Sequence, residues 1–410
     1  MTGRSEVPIG RRVAQWRVRR RMTQQGLADR LGKSKSWVDK VERGARRLDK
    51  FSVIQAIAEV LRVDPAVLLG QPTPPAGVGV PDGLDEVRAA LARYGVCQAA
   101  FPVSTAELRR QVGHAWLSFQ HGQYAQVVRA LPGLLDAVRM SSAFEHAESP
   151  VQAYRVASSV LVKLGEAALG WLAADRAVAA AGGDAVLTGT AAISIGQALR
   201  LAGRERLALA ATVAAAQRLT TPRPSAGGAV SSGRRAQELA VGGTLLLQAA
   251  LAAASCGEPG QAEALLGRAA DLADQVEVAE QQRDVRVALA DDPQRTSFGA
   301  VAVELTRVVV AVGRGDLGEA LGRHELVIRR EGWRRLPAEY RGAYLVDAAR
   351  AYLLAGDLAG AGRMLVAADG VAPAEVRARP STRTLLGELA RGRPAPPGVA
   401  RLATLVGLTR

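Results

Sequence analysis

Apolar residues recur along this chain at three- and four-residue intervals, the spacing of one helical face. β-Branched alternation bounded by turns, the mark of a strand, does not recur. The first 70 residues predict several short helices. Ile9, Val13 and Val18 stand among six arginines over residues 9–21. Thr23 is a good N-cap for a helix over 24–31, and Gly32 a left-handed stop. Ser34 caps a helix over 35–43 that ends at Gly44, and residues 51–61 predict a fourth. Asp64-Pro65 starts a fifth, with proline at the first helical position. Residues 71–83 hold four prolines and three glycines and predict a linker. From Leu84 onward the pattern is Ala/Leu/Val-rich helix almost throughout. Residues 220–233 and 290–299 look irregular, and RGRPAPPG at 391–398 breaks the last helices.

The long part carries a degenerate internal repeat. A turn glycine followed by a short polar-to-apolar step recurs at Gly122, Gly165, Gly203, Gly257, Gly315 and Gly356. The intervals are 43, 38, 54, 58 and 41 residues. A helix, a glycine-assisted turn and an antiparallel helix form one unit, and stacked units bury what one cannot. The intervals exceed the roughly 34 residues of a strict tetratricopeptide repeat, so long loops are expected at the two wider ones. An irregular all-α domain whose helices happen to end at glycine is the other reading.

Charge adds a partner class. Of the net +14, the first 70 residues carry +9, from 16 Lys/Arg against 7 Asp/Glu. A basic surplus confined to a small module suggests a polyanion. Cys97 and Cys256 are too few for a disulfide framework or a cysteine zinc site. His114, His121, His146 and His324 show no metal-ligand spacing, so neither metal nor cofactor is expected. No apolar run of about 18 residues and no apolar N-terminal segment appears, so a cytoplasmic protein away from membranes is expected. No P-loop, GxGxxG after a strand or GxSxG elbow occurs, and a binding protein is expected rather than an enzyme.

Two short helices joined by Gly-Lys-Ser have helix-turn-helix geometry. The segment from Met22 to Leu48 resembles the Xre/phage-repressor type. The matching features are Thr23-Gln24, Leu27-Ala28, Gly32, Ser34, Val38, Val41-Glu42 and Gly44, and the likeness continues through Val63-Asp64 and Val67-Leu68-Leu69. Gly26 departs from it, because that type usually has a helix former there. The resemblance implies that Ser34, Lys35 and Ser36 open a recognition helix, with Lys40 one turn on. Lys donates to guanine O6/N7 and Ser serves either base type. Asp39 could accept from cytosine N4 or pair with Lys35. Gln24 would hold a phosphate and brace the recognition helix, and Arg43, Arg46 and Arg47 would meet phosphates beyond it. Trp37 is a half-buried packing residue or a methyl/sugar contact. Arg17 and Glu42 occupy the places of a structural ion pair between the first and third helices. Two-fold operators make a homodimer on double-stranded DNA the default.

The overall plan resembles actinobacterial regulators that join such a head to a tetratricopeptide-like body. It also looks like peptide-sensing regulators, which clamp a peptide backbone with Asn. This chain has no Asn, so Gln, Arg or Tyr would have to replace that clamp. Candidate effector residues are the polar or aromatic groups within aliphatic helices: Trp116, Tyr154, Arg155, Trp171, Arg200, Glu304, Arg307 and Tyr344. The expectation is an all-α protein: a helix-turn-helix head (1–70), a linker (71–83), a helical-repeat body (84–390) that senses a small molecule or peptide, dimerises or both, and a tail with a short helix (391–410). Its expected function is sequence-specific transcription regulation. A helical-repeat interaction scaffold with an incidental head is the alternative.

Overall fold

The computed structural model describes residues 8–20, 22–46, 48, 51–61, 83–93, 103–140, 147–220, 232–281, 292–392, 396 and 398–408. The expected fifth head helix, nearly all of the linker, residues 221–231, and Arg47 lie outside them. Two compact units cover residues 1–78 and 79–410.

The first unit contains α1 (Ile9–Arg19), α2 (Gln24–Leu31), α3 (Lys35–Glu42) and α4 (Phe51–Leu61). Thr23 accepts a hydrogen bond from the Gly26 amide at 3.0 Å, and Ser34 Oγ accepts one from the Trp37 amide at 3.1 Å. Gly32, at φ 61°, ends α2 as expected. Gly26 is the third residue of α2, in its capped first turn, so the interior-glycine cost does not fully apply. Val13, Leu27, Ala28, Val38, Ile54, Ile57, Ala58 and Leu61 form the core. Val18 does not join them, being 62% exposed. Trp16 packs there instead, because 13 and 16 share a helical face and 18 does not.

The second unit is a stack of helical hairpins. After α5 (Leu84–Ala92) the pairs are α6 (Thr105–Gln120) with α7 (Tyr124–Met140), α8 (Glu148–Lys163) with α9 (Ala167–Ala180), α10 (Ala185–Leu201) with α11 (Glu205–Thr220), and α12 (Ser232–Ser255) with α13 (Pro259–Gln281). They continue as α14 (Ala300–Arg314) with α15 (Leu317–Val327), then, after α16 (Glu331–Arg335), α17 (Ala338–Leu354) with α18 (Leu358–Val371). Helices α19 (Pro373–Arg377), α20 (Pro380–Ala390) and α21 (Val399–Leu405) complete the order.

All six hairpins turn on the glycines of the sequence repeat, at φ between 68° and 85°. Each uses one pattern. The glycine amide donates to the carbonyl three residues back, and the next amide to the carbonyl five back. That Schellman arrangement satisfies the last carbonyls of the first helix while reversing the chain. The first helix of each pair also packs on the first helix of the next, through α6, α8, α10, α12, α14 and α17. This is a tetratricopeptide-like array. Helix α17 touches α6 as well, so the row of first helices closes on itself.

Residues Gly233–Ser255 of α12 are long and apolar enough to cross a membrane, an element the sequence reading did not anticipate. Yet 67% of the apolar window is buried, against α10, α11, α13 and α14. It is the central helix of the array.

Candidate nucleic-acid interface and effector cavity

In the head, Val38, Val41 and Glu42 bury one side of α3, and Ser34, Lys35, Ser36, Lys40 and Arg43 are exposed. The helix is fixed by a polar clamp. Arg17 Nε and Nη2 donate to the two oxygens of Glu42 at 2.6 and 2.9 Å. Arg17 Nη1 donates to the Met22 carbonyl at 2.8 Å. Gln24 Nε2 donates to Glu42 at 2.8 Å, so its amide reaches α3 from α2. The Glu42 hydrogen bond raises the Arg17 pKa above its ordinary value.

Asp39 pairs with Arg43, not with Lys35. Arg43 is four residues C-terminal to Asp39, the more favourable direction for an acid–base pair on a helix. Trp37 is half-buried against the core and lies 5.9 Å beneath the Arg46 guanidinium. Arg46 is exposed, and its amide donates to the Lys40 carbonyl at 3.0 Å. Lys33, not singled out from the sequence, is an exposed cation in the turn before α3. Its signal was only its neighbourhood to the Ser34 cap.

In the body, the closed row of first helices surrounds a cavity of about 600 Å³. Four of the eight expected residues line it: Trp116, Arg155, Arg200 and Tyr344. The other four do not. Tyr154 is buried in the hydrophobic core beside Arg155, because consecutive residues point about 100° apart on a helix. Trp171 is 51% exposed on α9, the second helix of its hairpin. Glu304 and Arg307 pair at 2.7 Å and share Arg323 through Glu304, away from the cavity. His324, isolated in sequence, is 1% exposed and hydrogen-bonds the Tyr344 hydroxyl through Nδ1 at 3.0 Å.

Sequence reasoning missed the most charged part of the wall. Lys163, the only lysine beyond Lys50, pairs with Glu339 and, at 2.8 Å, with Glu375. Arg379 pairs with Glu375 at 2.6 Å, and the Tyr124 hydroxyl donates to the same carboxylate. This cluster joins α7 and α8 to α17 and α19. Burial pushes the Glu375 carboxyl up, but Lys163 and Arg379 outweigh it and hold it at about 2. Its bonded partners lie up to 251 residues apart, and no local pattern announces such a meeting.

The other missed part is the irregular segment after 291. Arg295 and Ser297 have φ of 55° and 51°, the only positive values outside glycine among the described residues. Each costs roughly 1–2 kcal/mol. The surroundings hold them there. Asp292 accepts from the Ser297 amide at 2.6 Å and from the Thr296 hydroxyl at 3.2 Å. Arg155 Nη1 donates to the Gln294 carbonyl at 2.9 Å, and Gln152 Nε2 to Gln294 Oε1 at 3.1 Å. Phe298 lies against Gly243, where an added Cβ would fall 2.0 Å from the ring. Arg295, Thr296 and Ser297 therefore join the cavity wall. Among the described residues, no cluster of three potential metal ligands occurs.

A capped, braced α3 following α2 across a glycine turn makes the head a helix-turn-helix domain, and the second unit is a tetratricopeptide-like body. Residues 8–69 match the helix-turn-helix domain family, which identifies the head as a DNA-binding module. No curated protein matches the chain in sequence. Among solved structures, it is similar to a Rap protein complexed with competence and sporulation factor. That match has 11% identity and a TM-score of 0.46, covering 98% of this chain and 93% of that one. It is also similar to Bacillus thuringiensis PlcR in complex with the peptide PapR7 and DNA. Here identity is 13% and the TM-score 0.29, over 69% of this chain and 99% of that one.

Proposed function

We propose that the protein is a sequence-specific transcriptional regulator of the cytoplasm that binds duplex DNA as a homodimer. In this reading residues 1–70 are the DNA-binding head, 71–83 the linker, 84–390 the sensing and dimerising body and 391–410 the tail. The observation that carries it is the exposed Ser34–Lys40 face of α3, held by the Arg17–Glu42–Gln24 clamp. Lys35, Ser36 and Lys40 read base edges, with Asp39 beside them, and Trp37 supports the helix from its half-buried side. Gln24, Arg43, Arg46 and Arg47 position the head on phosphates. The body holds an effector in its cavity and changes DNA affinity by binding it, without converting it. The cavity's size suits a small organic molecule.

The test is a mobility-shift titration on the DNA upstream of the protein's own coding sequence. Wild type is expected to bind it in preference to unrelated duplex. Lys35→Ala with Lys40→Ala, both exposed and so harmless to the fold, should abolish that preference. A double variant that still prefers the upstream DNA contradicts the reading.

A further inference from the structure

We propose that the body cavity binds an organic oxyanion, a carboxylate or phosphate carried on an apolar body, through Arg155, Arg200 and Arg295. The proposal deepens the effector reading and rests on it for its regulatory meaning, not for the binding itself. Its basis is a charge imbalance in the wall. Six cationic side chains line the cavity against two carboxylates, Glu339 and Asp347. Lys163 and Arg379 are already paired, with Glu375 behind the wall serving both. Arg350 sits beside Asp347, close enough to act on its charge. Arg155, Arg200 and Arg295 remain, and none has a carboxylate within ion-pair distance among the described residues. Asp292 acts on Arg155, and Asp347 and Glu205 act on Arg200, but from beyond ion-pair distance; Asp292 accepts its own hydrogen bonds from Thr296 and Ser297.

Three of the four unmet buried polar atoms on cavity-lining side chains point the same way, the fourth being the acceptor Gln248 Oε1. Trp116 Nε1, Arg155 Nε and Arg200 Nε are buried N–H donors with no acceptor, all on cavity-lining side chains. Trp116 and Arg155 are only 4% and 3% exposed, and the Arg155 guanidinium stacks 5.3 Å from the Trp116 ring. A buried guanidinium without a counter-charge is costly, and a ligand oxyanion supplies both charge and acceptors. Burial lowers the Arg155 pKa to about 10, which leaves it protonated at neutral pH. Phe119, Leu247, Leu251, Leu305 and Val309 give the rest of the wall an apolar character suited to the ligand's body. Arg295 lines the site with its backbone at positive φ, a strain that persists only where the surroundings over-determine it.

Calorimetric titration of the full chain with benzoate, phenyl phosphate and neutral benzyl alcohol tests this. At least one anion should bind one site at least roughly tenfold tighter than the alcohol. The tighter of the two anions identifies the carboxylate or the phosphate as the preferred headgroup. Arg155→Gln should weaken anion binding by roughly tenfold or more. Arg155 also ties down Gln294, so Arg295→Gly serves as the second variant. It fits the left-handed backbone while removing a cation, and it too should weaken the anions without affecting the alcohol. Equal binding of all three probes, no binding by either anion, or unchanged anion affinity in the folded Arg295→Gly protein overturns the proposal. The titration contains no DNA. Anion binding that leaves DNA affinity unchanged therefore supports the site and removes only its role as effector.

Discussion

Replacing Glu42 by alanine should strongly destabilise the head while leaving the body intact. Glu42 is 8% exposed and accepts from Arg17 twice and from Gln24 once. Alanine strands the Arg17 guanidinium, whose side chain is 14% exposed. Breaking a buried pair costs roughly 3–5 kcal/mol, and Arg17's remaining exposure and Met22 contact place this one near 3. A head of about 60 residues has only ~3–9 kcal/mol at ~0.05–0.15 per residue. The loss is therefore a large share of the head's stability. Hydrogen exchange followed by mass spectrometry reads it in the full chain. Protection of peptides from α2 and α3 should fall roughly a hundredfold, with body peptides unchanged. Arg17→Met with Glu42→Leu removes both charges and should recover most of the protection, because apolar replacement of a buried pair is often neutral. Protection in Glu42→Ala within about threefold of wild type would refute the clamp as the element that holds α3.

Further outcomes follow from the same geometry. Gly10→Ala places a Cβ 1.9 Å from the Val41 carbonyl oxygen, so α1 and α3 must separate; head protection should drop, at a cost of roughly 1–3 kcal/mol or more. Glu375→Gln leaves Lys163 and Arg379 short of their shared carboxylate and should lower the body's melting temperature by several degrees, equivalent to roughly 3 kcal/mol in a differential scan. His324 has its pKa lowered from 6.5 by burial. The unfolded chain therefore takes up that proton first, and the body should lose stability as pH falls below about 6.5 towards the folded value. His324→Phe should flatten that part of a urea-midpoint profile against pH. DNA affinity should fall with added salt, by ~0.9 in log K per log salt for each phosphate contact.

The head and the hairpin turns were legible because local chemistry fixes them. Thr23, Ser34 and Gly32 do in the structure what capping and left-handed preference require of them. The six repeat glycines were readable for the same reason, since each terminates a helix with its own neighbours. The cavity was legible only in part. Arg155 and Arg200 stood out as charges within aliphatic helices, and Tyr154 stood out equally well. A face of α8 is decided by what packs against it, and a one-residue step separates core from wall. The Lys163–Glu339–Glu375–Tyr124 cluster depends on closure of the row of first helices, a property of the whole stack. The Arg295 segment was visible only as irregular, because its conformation depends on the distant Gln152 and Arg155 as well as on its own Asp292.

The central claim is that α3 reads DNA through its exposed face. Footprinting of the upstream DNA with wild type and with Ser36→Ala plus Lys40→Ala tests it most directly. Wild type should protect two half-sites about one helical turn apart, and the variant, folded by circular dichroism, should protect none above background. A footprint retained by the variant at wild-type concentrations would contradict the account.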